Sequence, residues 1–165
     1  MTAVSAWLAA RSIAWTLLVP GIVAGYVPWR YFGVSGARIG IRNPAHWLAA
    51  LAIAAGAGLL VMCVWHFARL GRGTLVPIDA PRRLVVSGPY RYVRNPMYLA
   101  VSAVLAGELL LAPSGPLAAY AAIWFACVNL FVLGYEEPTL RRKFGAEYLE
   151  YTRTVRRWVP RRRGF

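Results

Sequence analysis

The sequence predicts an all-α fold: a polytopic membrane helix bundle of about four transmembrane helices with a C-terminal amphipathic cytoplasmic helix, in one domain over residues 1–165. Three observations predict it. Hydrophobic residues make up 59% of the chain and charged residues 15%, against roughly 45–50% and 25% in soluble domains. Four long apolar runs are spaced along the chain. The cations fall almost entirely on one side of those runs. A core this small does not hide so much apolar surface. A soluble enzyme, a disordered chain and a secreted disulfide scaffold are therefore excluded.

The first run, Ser12–Trp29, has 18 residues and no charge. Its length and the lack of a clear A-x-A site argue for a retained span over a cleaved leader. The second run covers 26 residues between Arg42 and Arg69, with its span at about 45–68. Both cross a core of ~30 Å at ~1.5 Å per residue. The third, 97–112, is 16 residues, about 24 Å of helix, so it either crosses barely or lies in a thinned region. Pro113-Ser114-Gly115-Pro116 reads as a tight turn. The fourth span, 117–135, then closes a helical hairpin with the third. Gly21-x-x-x-Gly25, and Gly56 with Gly58, read as small residues that let helices approach closely. Cys63 and Cys127 each sit inside an apolar run, with no metal-ligand spacing around them, and read as packing residues.

Net charge is +13, from 19 Lys and Arg against 6 Asp and Glu. One cation precedes the first span and three (Arg30, Arg38, Arg42) fill the first loop; six lie in the second loop, 69–94, and nine in the tail. Four crossings put 16 cations on one side and three on the other. The positive-inside rule makes the first side cytoplasmic, with both termini there, in a plasma or inner membrane. Anionic lipid headgroups are the natural partner of Arg161-Arg162-Arg163. No aromatic–basic groove outside the spans suggests nucleic acid.

Chemistry concentrates at the cytoplasmic ends of the last two spans. In the second loop, Pro96 suits the first turn of the third helix and Asn95 its cap. With Arg91 and Arg94 beside it, that helix N-terminus is either an anion site or plain topology, arginines meeting lipid phosphate. The tail opens Gly134-Tyr135-Glu136-Glu137-Pro138. The glutamates either cap a new helix started by Pro138, pairing with Arg141, or form a cation site. Beyond them Leu140, Phe144, Tyr148, Tyr151, Val155 and Val159 line one face of a basic amphipathic helix, an interfacial lid or skirt that Gly145 breaks. A zwitterionic amino-acid group, such as that of S-adenosylmethionine, would bridge an anion site and a cation site so placed. His66, at the cytoplasmic end of the second span, is either a packing residue or a base. Glu108, the one acid inside a span, reaches the far interface or makes a polar contact in the bundle.

The run Gly88-Pro-Tyr-Arg-Tyr-Val-Arg-Asn-Pro-Met-Tyr98, then Glu136-Glu137-Pro-x-Leu140 and Phe144-Gly-x-x-Tyr148-x-x-Tyr151, resembles the isoprenylcysteine carboxyl methyltransferase and phospholipid methyltransferase superfamily of integral membrane enzymes. The likeness covers about residues 71–160. It implies S-adenosylmethionine as cofactor and a lipophilic methyl acceptor, bearing a carboxylate, amine or thiol. Arg94-Asn95-Pro96 stands where the superfamily has Arg-His-Pro, and a Gly-x-Gly motif maps to Gly71 and Gly73. The resemblance assigns Tyr90, Arg94, Asn95, Pro96, Tyr98 and Glu137 to the donor pocket and Glu136 and Arg142 to catalysis, with Arg141 as the alternative to Arg142. Rival readings are an NADPH-dependent reductase of the sterol-reductase type and a non-catalytic membrane protein with a basic tail. The paired glutamates favour the methyltransferase.

Overall fold

The computed structural model describes residues 18–37, 40, 42–70 and 84–161, with side chains omitted at 67–70. The start of the first span, Gly71 and Gly73 and the terminal Arg162 and Arg163 lie outside them. The described chain is all-α, without a strand.

Helix α1 covers residues 18–31 and contains a π turn at Ile22–Tyr26 before its last segment, Val27–Tyr31. Pro28 explains the π turn. A proline inside a helix lacks an N–H and pushes on the carbonyl four residues back; one wider turn absorbs both faults. Helix α2 is Pro44–Leu70. Asn43 caps it, its Oδ1 accepting from the Ala45 N–H at 3.0 Å. Helix α3 is Pro96–Leu111, opened by Pro96 in its first turn as the sequence predicts. A short turn leads to α4, Gly115–Phe131, where Ser114 accepts from the Leu117 N–H at 3.2 Å.

The helix does not end where the fourth span was expected to. A π turn at Val132–Glu136 leads straight into α5, Glu137–Thr154. Glu136 keeps helical backbone angles, so Glu136 and Glu137 lie in the middle of a 40-residue helical run. The expectation of a fresh helix N-terminus at Pro138 is corrected. The reason repeats that of α1: the π turn accommodates the proline two residues after its end, so the helix need not restart. The real break comes at Gly145, with φ +52° and ψ −122°, angles open to glycine.

Two stretches, Pro44–His66 and Gly115–Thr154, are long and apolar enough to cross a membrane, with mean hydropathy 2.3 and 2.0. Only 17% of either apolar window is buried. A soluble core helix would be mostly covered; here Leu51, Val61, Ile123 and Leu130 face outward. Pro96–Leu111 is a shorter apolar helix.

Helix α3 lies against α2 far more than against its hairpin partner α4. Two glycines permit it. A Cβ on Gly56 would stand 2.7 Å from the Ala100 carbonyl oxygen, and one on Gly107 would stand 2.8 Å from that of Ala49. Gly21, Gly25 and Gly58, expected in the same role, meet nothing within 4 Å among the described residues. Glu108 is buried within the bundle. Tyr120 on α4 donates to the Val23 carbonyl at 2.9 Å, at the π turn of α1.

Candidate functional site

The loop before α3 is built on Gly88. Its φ of +57° turns the chain, and a Cβ there would overlap the ring of His66 at the end of α2. One 3-10 turn follows, Gly88–Arg91. Tyr151 of α5 donates to the Tyr90 carbonyl at 2.6 Å. The Arg94 N–H donates to the Arg156 carbonyl, and the Arg161 N–H to the Tyr92 carbonyl, each at 2.9 Å. The extended tail after Thr154 therefore lies along the loop. Trp158 Nε1 donates to Asn129 Oδ1 at 2.9 Å, pinning the tail to α4.

The amphipathic face on α5 faces inward. Tyr148, Tyr151 and Val155 are buried, with Leu140 and Phe144 beside them and Leu84 and Val86 from the loop packed on top. This corrects the lid or skirt expected at the interface: the stripe covers the protein's own loop. The helix ends at Thr154, so Val159 leaves the stripe and is exposed.

That clamp brings the two predicted motifs together. Tyr98, one turn into α3, donates to Glu136 Oε2 at 2.9 Å. Glu137 is buried and doubly held. Arg157 binds it through Nε to Oε1 at 2.7 Å and Nη2 to Oε2 at 2.9 Å, and Arg94 Nη1 approaches Oε1 at 3.0 Å. Burial would raise the Glu137 carboxyl; the Arg157 hydrogen bonds and the charges of Arg94, Arg157 and Arg141 outweigh it and hold it below the usual range. Glu136 goes the other way. Burial raises its carboxyl, the Tyr98 hydrogen bond only partly offsets this, and the Glu137 charge adds to it. Two adjacent carboxylates thus differ in character, as acid–base sites require.

Asn95 stands at the cap position of α3, yet its side chain makes no capping bond. The residue is buried, and its Nδ2 has no hydrogen-bond partner; the same holds for Arg94 Nε and Ser87 Oγ. Buried donors without acceptors are rare and costly. Three of them gather at one loop, beside a helix N-terminus whose first internal bond is Leu99 N–H to the Asn95 carbonyl. Pro96 is buried in that first turn.

Arg142 joins none of this. It is exposed, and its Nη2 reaches Thr139 Oγ1 at 3.5 Å. Arg141 is the arginine of that pair whose charge Glu137 feels. Arg157, which sequence reasoning missed, supplies the two-pronged contact. It lies 20 residues beyond Glu137 and across the Gly145 break, so no helical spacing announces it.

A model of the phospholipid methyltransferase family matches residues 44–147, from the first residue of α2 through the acidic pair and past Gly145. No curated protein and no solved structure matches the chain.

Proposed function

Because the chain belongs to the phospholipid methyltransferase family, it is an S-adenosylmethionine-dependent integral membrane methyltransferase, and we propose that its donor site lies between the loop before α3 and the acidic pair. The acceptor is a lipid-type molecule. Four crossings, with the loop and tail on the cytoplasmic side, fit the arginine distribution and the outward apolar faces of α2 and α4.

One observation carries the reading. The half-buried Glu136 carboxylate stands on Tyr98, while the buried donors Asn95 Nδ2 and Arg94 Nε, near by in the chain, have no acceptor. A zwitterionic amino-acid group offers each side its complement, so the residues fit S-adenosylmethionine. Asn95 and Arg94 take its carboxylate and Glu136 takes its ammonium. Glu137 has both oxygens engaged by arginines and contributes by holding Arg94 in place. Tyr90, Pro96 and Tyr98 wall the pocket.

When bound, the cofactor supplies a sulfonium methyl group open to in-line displacement. The chain's own task is then mostly positioning. Tyr98 fixes Glu136, and the tail fixes Arg94 through the Arg156 carbonyl. Arg142, exposed outside the cluster, orients the acidic group of the acceptor. An amine acceptor must also release a proton, to water or to His66 against Gly88.

Calorimetry on protein purified in detergent tests this reading. S-adenosylmethionine and S-adenosylhomocysteine should bind, and binding should be lost in Glu136→Gln. Binding of NADPH alone would overturn it. A labelled methyl donor in membranes then identifies the acceptor by lipid analysis.

A further inference from the structure

Spacing alone makes Cys63 a packing residue, but its neighbours give it more to do. It is fully buried on α2, about one turn before His66. That end of α2 is the part that meets Gly88 and the 3-10 turn. The Cys63 thiol is hydrogen-bonded to the Tyr90 side chain. Tyr90 is thus held at three points: its N–H donates to the Ser87 carbonyl at 3.2 Å, its carbonyl accepts from Tyr151 at 2.6 Å, and its hydroxyl meets Cys63.

Tyr90 also lies beside Glu136 and Tyr98, so two phenols stand near one carboxylate. Tyr98 donates to Glu136 Oε2 at 2.9 Å; Tyr90 is bonded to the thiol instead. That choice runs against acceptor strength, because a carboxylate attracts a hydroxyl proton far more than sulfur does. A buried tyrosine hydroxyl finds a partner. With the thiol removed, Glu136 is the acceptor at hand. A second phenol on Glu136 would compete with an ammonium brought to it. We propose that Cys63 is a positioning residue of the donor site: it keeps the Tyr90 hydroxyl off Glu136, so that the carboxylate's remaining capacity goes to the donor's ammonium. The inference rests on the donor-site reading. The groups that act on Glu136 are Tyr98 from α3, Tyr90 from the loop, and Tyr148 and Glu137 from α5, with Arg94 and Arg157 on Glu137. Helix α2 presents Cys63 to Tyr90 and His66 to Gly88.

The test uses the full chain in detergent, with S-adenosylhomocysteine as the calorimetric probe. Cys63→Ala should lower its affinity roughly threefold to tenfold, the worth of one competing hydrogen bond. Binding needs ionised Glu136, and a second phenol favours that form, so the pH midpoint of binding should fall in the same variant. Cys63→Ser, whose hydroxyl still accepts from Tyr90, should keep most of the affinity and the original midpoint. Added to Tyr90→Phe, Cys63→Ala should cost nothing further, because no hydroxyl is left to compete. Infrared spectroscopy of the S–H stretch, in a Cys127→Ser background and without donor, reads the contact itself: the Cys63 band should move in Tyr90→Phe. An unmoved band, or equal loss of affinity from Cys63→Ala with and without the Tyr90 hydroxyl, would overturn the proposal and leave the donor site standing. Absence of donor binding in the unaltered protein, with the band still moving, would sink the donor site and this role together.

Discussion

Arg157 grips both oxygens of Glu137, at 2.7 and 2.9 Å, from 20 residues further along the chain. This ion pair makes the tail part of the site. Without it Arg94, which shares Glu137 Oε1 at 3.0 Å, loses its orientation. Glu137→Ala leaves two cations uncompensated beside a buried pocket, which costs roughly 3–5 kcal/mol. Arg157→Ala should cost less, on the order of 1–3 kcal/mol, because Arg94 remains and the Arg157 side chain is already 29% exposed. Thermal unfolding in detergent should rank unaltered protein above Arg157→Ala above Glu137→Ala. Equal melting points for all three would show that the tail holds nothing.

The two glutamates should respond oppositely to pH. Glu137 is held below the usual carboxylate range by its arginines. Its contribution to stability is complete above about 4.3, the unfolded value, and is lost as pH falls through the lowered one. Glu136 is raised, mainly by burial. Its protonated form suits the fold, so that stabilisation is present below about 4.3 and is lost as pH rises through the raised value. An ammonium ligand needs the ionised form. Donor affinity should therefore climb with pH with a midpoint above that of an ordinary carboxylate, and the step should vanish in Glu136→Gln. Tyr98→Phe removes the hydrogen bond that favours ionisation and should move the midpoint higher still. Calorimetry over a series of pH values reads both.

Asn95 offers a test in which stability and binding part company. Its buried Nδ2 has no partner, a state that costs about 1–3 kcal/mol. Asn95→Ala removes that burden. Without donor, the variant should melt no lower than the unaltered protein. With donor, affinity should fall about tenfold, since a hydrogen bond to a charged carboxylate is lost. A variant that melts much lower and binds donor normally would make Asn95 a packing residue.

Much of this site was legible before any coordinates, for reasons that particular residues make clear. Pro96 announces its helix start correctly, because it follows a residue at a real chain turn. Pro138 carries the same signal and misleads, because the π turn at Val132–Glu136 lets the helix run through. Local sequence does not record whether a neighbouring turn can widen. The meeting of the loop with the acidic pair, Tyr98 on Glu136 and Arg94 on Glu137, was legible because both ends of one short hairpin must lie together. Arg157 was not, being one of nine cations in the tail and distinguished only by the bend at Gly145. The inward turn of the Tyr148 stripe likewise depends on Leu84 and Val86 lying over it, which periodicity does not reveal.

Gly56 and Gly58 separate a packing glycine from a bystander on one helix. A Cβ on Gly56 would stand 2.7 Å from the Ala100 oxygen and 2.8 Å from Val104 Cγ2, while one on Gly58 meets nothing within 4 Å. The Ala100 oxygen is backbone and has no rotamer to yield. Gly56→Ala must push α3 away from α2, an overpacking cost of roughly 1–3 kcal/mol. Because α3 carries Asn95 and Tyr98 at its first turn, within about three turns of the Ala100 and Val104 that Gly56 meets, that displacement should also weaken donor binding, with no ligand contact of its own. Gly58→Ala should leave melting point and donor affinity unchanged, or raise stability slightly through helix propensity. Unfolding and calorimetry on the two variants side by side decide it: if both behave alike, close approach of α2 and α3 does not hold the site.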